Sequence, residues 1–201
     1  ELLKELAEDE SYPALFFNAF GSSDIDSEVL AKALEQFLLS IVSQDSKFDQ
    51  AARGEVTLTD QEKHGLKLFV TEFDPDRNLR GADCFHCHGG NLFTNNRFSN
   101  NGLPQSPVAD LGLFTATGKP GDKGKFKTPS LRNIELTGPY MHDGRFGTLE
   151  EVIDHYSSGV QRSKTLDPNL AKHPIQGIQL TEEEKSALVA FLKTLTDQQF
   201  K

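Results

Sequence analysis

The sequence predicts an all-α chain whose helices frame long ordered loops. Three observations point there. Thr59 with Glu62, Thr148 with Glu151, and Thr181 with Glu184 each have the form of a capping box, in which hydroxyl and carboxylate satisfy the orphan backbone donors of a helix start. The apolar residues that follow recur at helical spacing, as in Leu149, Val152, Ile153 and Tyr156, or Leu188, Phe191, Leu192 and Leu195. Between Asn91 and Gly147, by contrast, Gly, Pro and Asn are frequent and periodic runs are few, which predicts ordered loop with little strand.

In chain order, Leu2, Leu3 and Leu6 form an apolar stripe with no capping residue before it, a helix already in progress over residues 1–9. Pro13 suits a helix start and Gly21 a helix stop, with Leu15, Phe16, Phe17 and Phe20 between them. A longer helix is expected over residues 27–42, where Leu30, Ala33, Leu34, Phe37, Leu38 and Ile41 share one side. These helices carry more phenylalanine than they can bury alone. Residues 45–55 read as a turn-rich separator. The Thr59 box then opens a helix with Leu66, Phe69, Val70 and Phe73.

Charge is unevenly distributed. Residues 1–50 hold eleven acidic and three basic side chains, a balance of −8 out of −9 for all 201 residues. Nucleic acid is therefore not an expected partner. The longest apolar clusters, such as Phe37-Leu38-Leu39, fall far short of the ~18 residues a bilayer crossing needs, so no membrane span is expected.

Both cysteines lie in Cys84-Phe85-His86-Cys87-His88. Two thiols at this spacing can add across the vinyl groups of one porphyrin, and the histidine directly after them is then held under the iron as axial ligand. The motif predicts one covalent haem c, and with it a cytochrome c-like domain. A redox disulfide or a zinc site are the alternatives, but zinc would call for a second Cys or His pair, and His64, His142, His155 and His173 are scattered singly. His86, inside the motif, is expected at the surface or near a propionate. Thioether attachment takes place outside the cytoplasmic membrane, so a periplasmic or other extracytoplasmic location and a mature, trimmed chain are expected.

The second axial ligand is open from the residues alone. Met141 is the single methionine, and thioether ligation is common in cytochromes c. Tyr156 falls on the inward face of its helix, and His142 and His155 are further donors. The basic loop with Lys119, Lys123, Lys125, Lys127 and Arg132 offers cations for a haem propionate, Arg132 foremost.

Leu131-Arg132-Asn133-Ile134, then Leu136-Thr137-Gly138-Pro139-Tyr140-Met141-His142-Asp143-Gly144 and Thr148-Leu149-Glu150-Glu151-Val152, resemble the bacterial dihaem cytochrome c peroxidase and MauG superfamily. Ala33-Leu34-Glu35-Gln36-Phe37, Ser46-Lys47-Phe48-Asp49 and Gly65-Leu66-Lys67-Leu68-Phe69 extend the resemblance over the whole chain. The family carries two haem motifs in two cytochrome domains; this chain carries one. The resemblance therefore implies that residues 1–52 are trailing helices of a truncated N-terminal cytochrome domain and residues 53–201 a C-terminal cytochrome domain. It implies an oxidoreductase in which this second haem passes electrons to a peroxide-reactive haem absent from the chain, with a small redox protein as donor. It places Tyr156 at the distal ligand position and a calcium ion on backbone oxygens of Thr137 and Pro139. A stand-alone monohaem electron carrier is the second reading, and a metal-binding or structural module without haem the third.

Overall fold

The computed structural model describes residues 1–104, 110–173 and 176–201. They divide into two compact units, Glu1–Val42 and Ser43–Lys201. In the first, α1 (Leu2–Glu8) and α2 (Tyr12–Phe20) precede α3 (Ser27–Ser40). Gly21 ends α2 in the left-handed conformation, its N–H returning to the Phe17 carbonyl, as a helix stop requires. Asp26 caps α3 by accepting the Val29 N–H at 2.8 Å, a cap the apolar pattern did not announce. Phe16 is buried, but Leu15, Phe17, Leu34, Phe37 and Leu38 are all more than half exposed. The excess of apolar surface foreseen from the sequence is thus present on this unit.

The second unit begins ten residues earlier than the boundary at 52 expected from the sequence. The stretch read as turn contains α4 (Lys47–Ala52), opened by a capping box between Ser46 and Asp49. Phe48 packs edge-on against Phe93 and Phe191, at 5.4 and 5.8 Å between ring centroids. Asp197 accepts the N–H groups of Gln44 and Asp45 at 3.0 and 2.9 Å. Residues 43–52 therefore belong to the core of the second unit.

That core lies where α5 (Asp60–Val70) crosses α10 (Glu182–Lys193), with α8 (Leu149–Asp154) against α10. All three capping boxes named above form. Leu68, Phe69, Phe93, Leu149, Ile153, Leu188, Phe191 and Leu195 close the interior. Gly65 permits the crossing: a Cβ there would lie 1.9 Å from the Ala187 carbonyl oxygen and 2.8 Å from Phe191 Cβ. Both helices would have to separate to admit even alanine. Gly65→Ala is accordingly expected to destabilise this unit by about 1–3 kcal/mol despite alanine's better helix propensity, read as a lowered midpoint in chemical denaturation.

Between α5 and α8 the chain is mostly loop, as its composition predicts. It holds α6 (Phe85–His88), α7 (Phe114–Thr117) and two-residue strands β1 (Phe98–Ser99) and β2 (Phe126–Lys127), paired antiparallel. A further short helix, α9 (Pro168–Ala171), precedes α10. Close to half of the described residues are thus helical, with little strand, and no helix among them is long and apolar enough to cross a membrane.

Candidate haem site

Cys84 is the residue before α6, Cys87 lies within it and His88 ends it, so one helical turn carries all three. His88 Nδ1 donates to the Phe93 carbonyl at 3.0 Å, which fixes the tautomer and leaves Nε2 as the free lone pair. Burial holds the His88 imidazole below its ordinary pKa, so it is neutral and able to ligate. Burial likewise pushes the Cys84 thiol up to about 12, with Asp83 adding to it, and raises Cys87. Sulfurs so placed are poor thiolates. The surroundings suit neutral sulfur, as in a thioether.

Tyr156 is held by an unusual piece of backbone. After Asp154 the helix widens into a π-turn, His155–Gly159, a feature often found at functional sites. The carbonyls it frees are taken up by a neighbouring strand of chain: Ile178 N–H donates to Tyr156 O at 3.0 Å and Gln179 N–H to Ser157 O at 2.9 Å. Gly177 (φ 144°) makes that approach possible, since a Cβ there would meet Tyr156 O at 2.4 Å. The residue presented by the π-turn is Tyr156, whose hydroxyl lies 3.4 Å from the Asn101 amide nitrogen. The same nitrogen lies 3.4 Å from Met141 Sδ. Burial, eased only in part by Asn101, pushes the Tyr156 phenol up to about 12, and Cys87, Cys84 and Asp167 act in the same direction. Cys84, His88 and Tyr156 are each partly accessible yet enclosed enough for burial to dominate their acidity.

These residues fit a haem: two neutral sulfurs, a neutral imidazole with its outer nitrogen fixed, and further iron donors converging on one amide. The other candidates are engaged elsewhere. His155 is buried with Nε2 3.1 Å from Asn101 O. His142 is exposed and stacks on Phe126, with ring centroids 3.6 Å apart. Arg132, expected at a propionate, has Nε on the Asn91 carbonyl at 2.8 Å and its two terminal nitrogens on Asp49 at 2.9 and 3.1 Å. Its geometry ties α4 to the loop after the haem motif, and one N–H on each terminal nitrogen remains beyond these three bonds. Thr137 and Pro139 flank a cis peptide bond on an exposed turn.

Burial works against the Asp49 charge, but Arg132 and Ser46 together hold its carboxyl below the usual range. The pair's contribution is thus full above the unfolded carboxylate pKa and is lost as pH falls through the lowered folded value. Arg132→Ala is expected to cost about 2 kcal/mol, between an exposed and a fully buried pair, and to flatten the acid limb of the stability–pH curve while leaving the haem spectrum unchanged.

Two members of the site were not named from sequence. Asn101 lies in Ser99-Asn100-Asn101-Gly102, which reads only as a turn. Asp83 precedes the motif, and nothing in its spacing marks it.

With this geometry in hand, comparison with known proteins is direct. The profile of the family described as di-haem cytochrome c peroxidase matches residues 1–57. The chain is 36% identical over 186 residues to the methylamine utilization protein MauG of Methylorubrum extorquens, covering 92% of this chain and 49% of that protein. It is 31% identical over 202 residues to the cytochrome c551 peroxidase of Nitrosomonas europaea, covering 98% and 52%. Among solved structures, a MauG-like protein associated with microbial copper homeostasis superposes with a TM-score of 0.78 at 37% identity, covering 98% of this chain and 61% of that one. The diheme peroxidase BthA from Burkholderia thailandensis gives the same TM-score at 23% identity, a likeness of fold. The chain spans about half the length of the curated relatives it matches. By these matches, and by the motif and donor set of its second unit, the chain belongs to the dihaem cytochrome c peroxidase and MauG superfamily of oxidoreductases.

Proposed function

We propose that this chain is the electron-transfer half of a peroxidase or MauG-type enzyme, carrying one haem c through Cys84 and Cys87. When bound, that haem supplies a one-electron store. His88 is its proximal ligand, oriented by the Phe93 carbonyl, and Tyr156 its distal ligand, with Met141 the alternative. The carrying observation is the convergence of Tyr156 and Met141 on the Asn101 amide. The π-turn gives Tyr156 a fixed backbone, whereas Met141 stands on an exposed-flanked turn at φ 73°; this favours Tyr156.

Residues 1–42 are then the end of a preceding cytochrome domain, whose remainder covers Leu15, Phe17, Leu34, Phe37 and Leu38. The family match confined to residues 1–57 and the exposure of those side chains support this. That domain supplies the peroxide-reactive haem, a small redox protein supplies electrons, and the location is periplasmic. Thr137 and Pro139 would hold a calcium ion through their backbone carbonyls.

Breaking an O–O bond requires an open iron position with acid–base groups nearby. A haem with donors on both faces offers neither. The haem-loaded chain is therefore expected to show little peroxide-dependent oxidation of a reduced cytochrome in a stopped-flow assay. Turnover on the order of 1 to 1000 per second, as for ordinary enzymes, would refute the reading.

A further inference from the structure

Asn101 touches both candidate distal donors, and the backbone around it is pinned from three places in the chain. Its carbonyl accepts His155 Nε2 at 3.1 Å, from the π-turn that presents Tyr156. On either side, the Asp167 N–H donates to the Asn100 carbonyl at 3.0 Å and the Gln161 N–H to the Gly102 carbonyl at 2.8 Å. Gly102 completes the turn at φ 71°, where a Cβ would meet Val160 Cγ1 at 2.6 Å and the Gln161 carbonyl oxygen at 2.9 Å. Residues 155, 161 and 167 thus set where the Asn101 side chain starts.

The orientation of the amide follows from its hydrogen bonds. The Leu103 N–H donates to Asn101 Oδ1 at 3.3 Å, so the nitrogen is the end turned toward the donors. That nitrogen carries two N–H groups and accepts nothing. It lies 3.4 Å from the Tyr156 hydroxyl oxygen and 3.4 Å from Met141 Sδ, one N–H for each. Toward Asn101 the Tyr156 oxygen can therefore only accept, and its own proton must point elsewhere. That proton is the one ligation removes.

We propose that Asn101 is a positioning residue that donates a hydrogen bond to the iron-bound oxygen of Tyr156 and thereby raises the reduction potential of the haem. The proposal rests on the reading of Tyr156 as distal ligand. Its physical basis is charge. A hydrogen bond to an anionic oxygen is stronger than one to a neutral oxygen, and a phenolate oxygen keeps more of its charge on ferrous than on ferric iron. The bond therefore favours the ferrous state and offsets part of the ferric bias that a phenolate brings. An electron store has to be reducible by its donor, and the amide contributes to that.

The test is redox potentiometry of the haem-loaded chain with the ferric spectrum recorded alongside. Asn101→Leu has a similar branched shape and no N–H. It should favour ferric iron about tenfold, a fall of about 59 mV for a one-electron couple, while the haem stays low-spin and its phenolate-to-iron charge-transfer absorption moves to longer wavelength. The sign is decisive, because a ligand lost through loosened packing would raise the potential, as Tyr156→Phe should. Asn101→Asp keeps an acceptor for the Leu103 N–H and serves if the leucine variant does not fold; it too should lower the potential. In a Tyr156→Phe background, Asn101→Leu should cause no further fall. An unchanged or raised potential in the single variants, or the same fall without the Tyr156 oxygen, would overturn the proposal. A wild-type spectrum in Tyr156→Phe would instead remove the distal-ligand reading, and the proposal with it.

Discussion

Tyr156→Phe is expected to change the spin state of the ferric haem and to open the iron to added cyanide. Phenylalanine keeps the ring in its pocket and removes only the oxygen, so packing is preserved while the donor is lost. The hydroxyl it removes is the one whose acidity burial suppresses to about 12. Such a phenol ionises at neutral pH only when a cation draws the proton off, which ferric iron does. A phenolate stabilises ferric over ferrous iron and a thioether does the reverse, so the variant should also raise the reduction potential. Met141→Leu, nearly volume-conserving, should leave both spectrum and potential close to wild type. The opposite pattern, with low-spin character lost in the Met141 variant and kept in the Tyr156 variant, would make Met141 the ligand and Tyr156 a packing residue.

The second large effect concerns attachment. Matured in a host that ligates haem, the wild-type chain should gain the mass of one haem and keep its colour in acid–acetone. The Cys84→Ala, Cys87→Ala double variant should lose both properties. Burial raises the pKa of both thiols, which suits neutral thioether sulfur at these positions. Intact-mass spectrometry decides it, and an unmodified wild-type mass would sink the covalent-haem reading.

The contrast between α4 and α5 shows where legibility from sequence ends. Thr59 and Glu62 announced α5 because an apolar stripe followed the box. Ser46 and Asp49 form the same reciprocal cap at α4, but that helix is too short to display a repeat, so it read as turn. Its place in the second unit rests on Phe48 against Phe93 and Phe191 and on Asp49 against Arg132, contacts between residues far apart in the chain. The same pairing gives Arg132 a structural partner in α4 that its loop position did not announce. A cation in a loop reads as available until its partner is seen.

The sequence by itself determined what local chemistry can specify: three capped helices, the loop-rich middle, and a CxxCH run whose spacing alone fits one porphyrin. Tertiary structure decided what depends on long-range geometry. It engaged His155 with Asn101 O and His142 with Phe126 and brought Tyr156 and Met141 to one amide. The reason is physical. A π-turn is stabilised by partners for its freed carbonyls, here from residues 178 and 179, more than twenty positions downstream, and no periodicity within the helix records them.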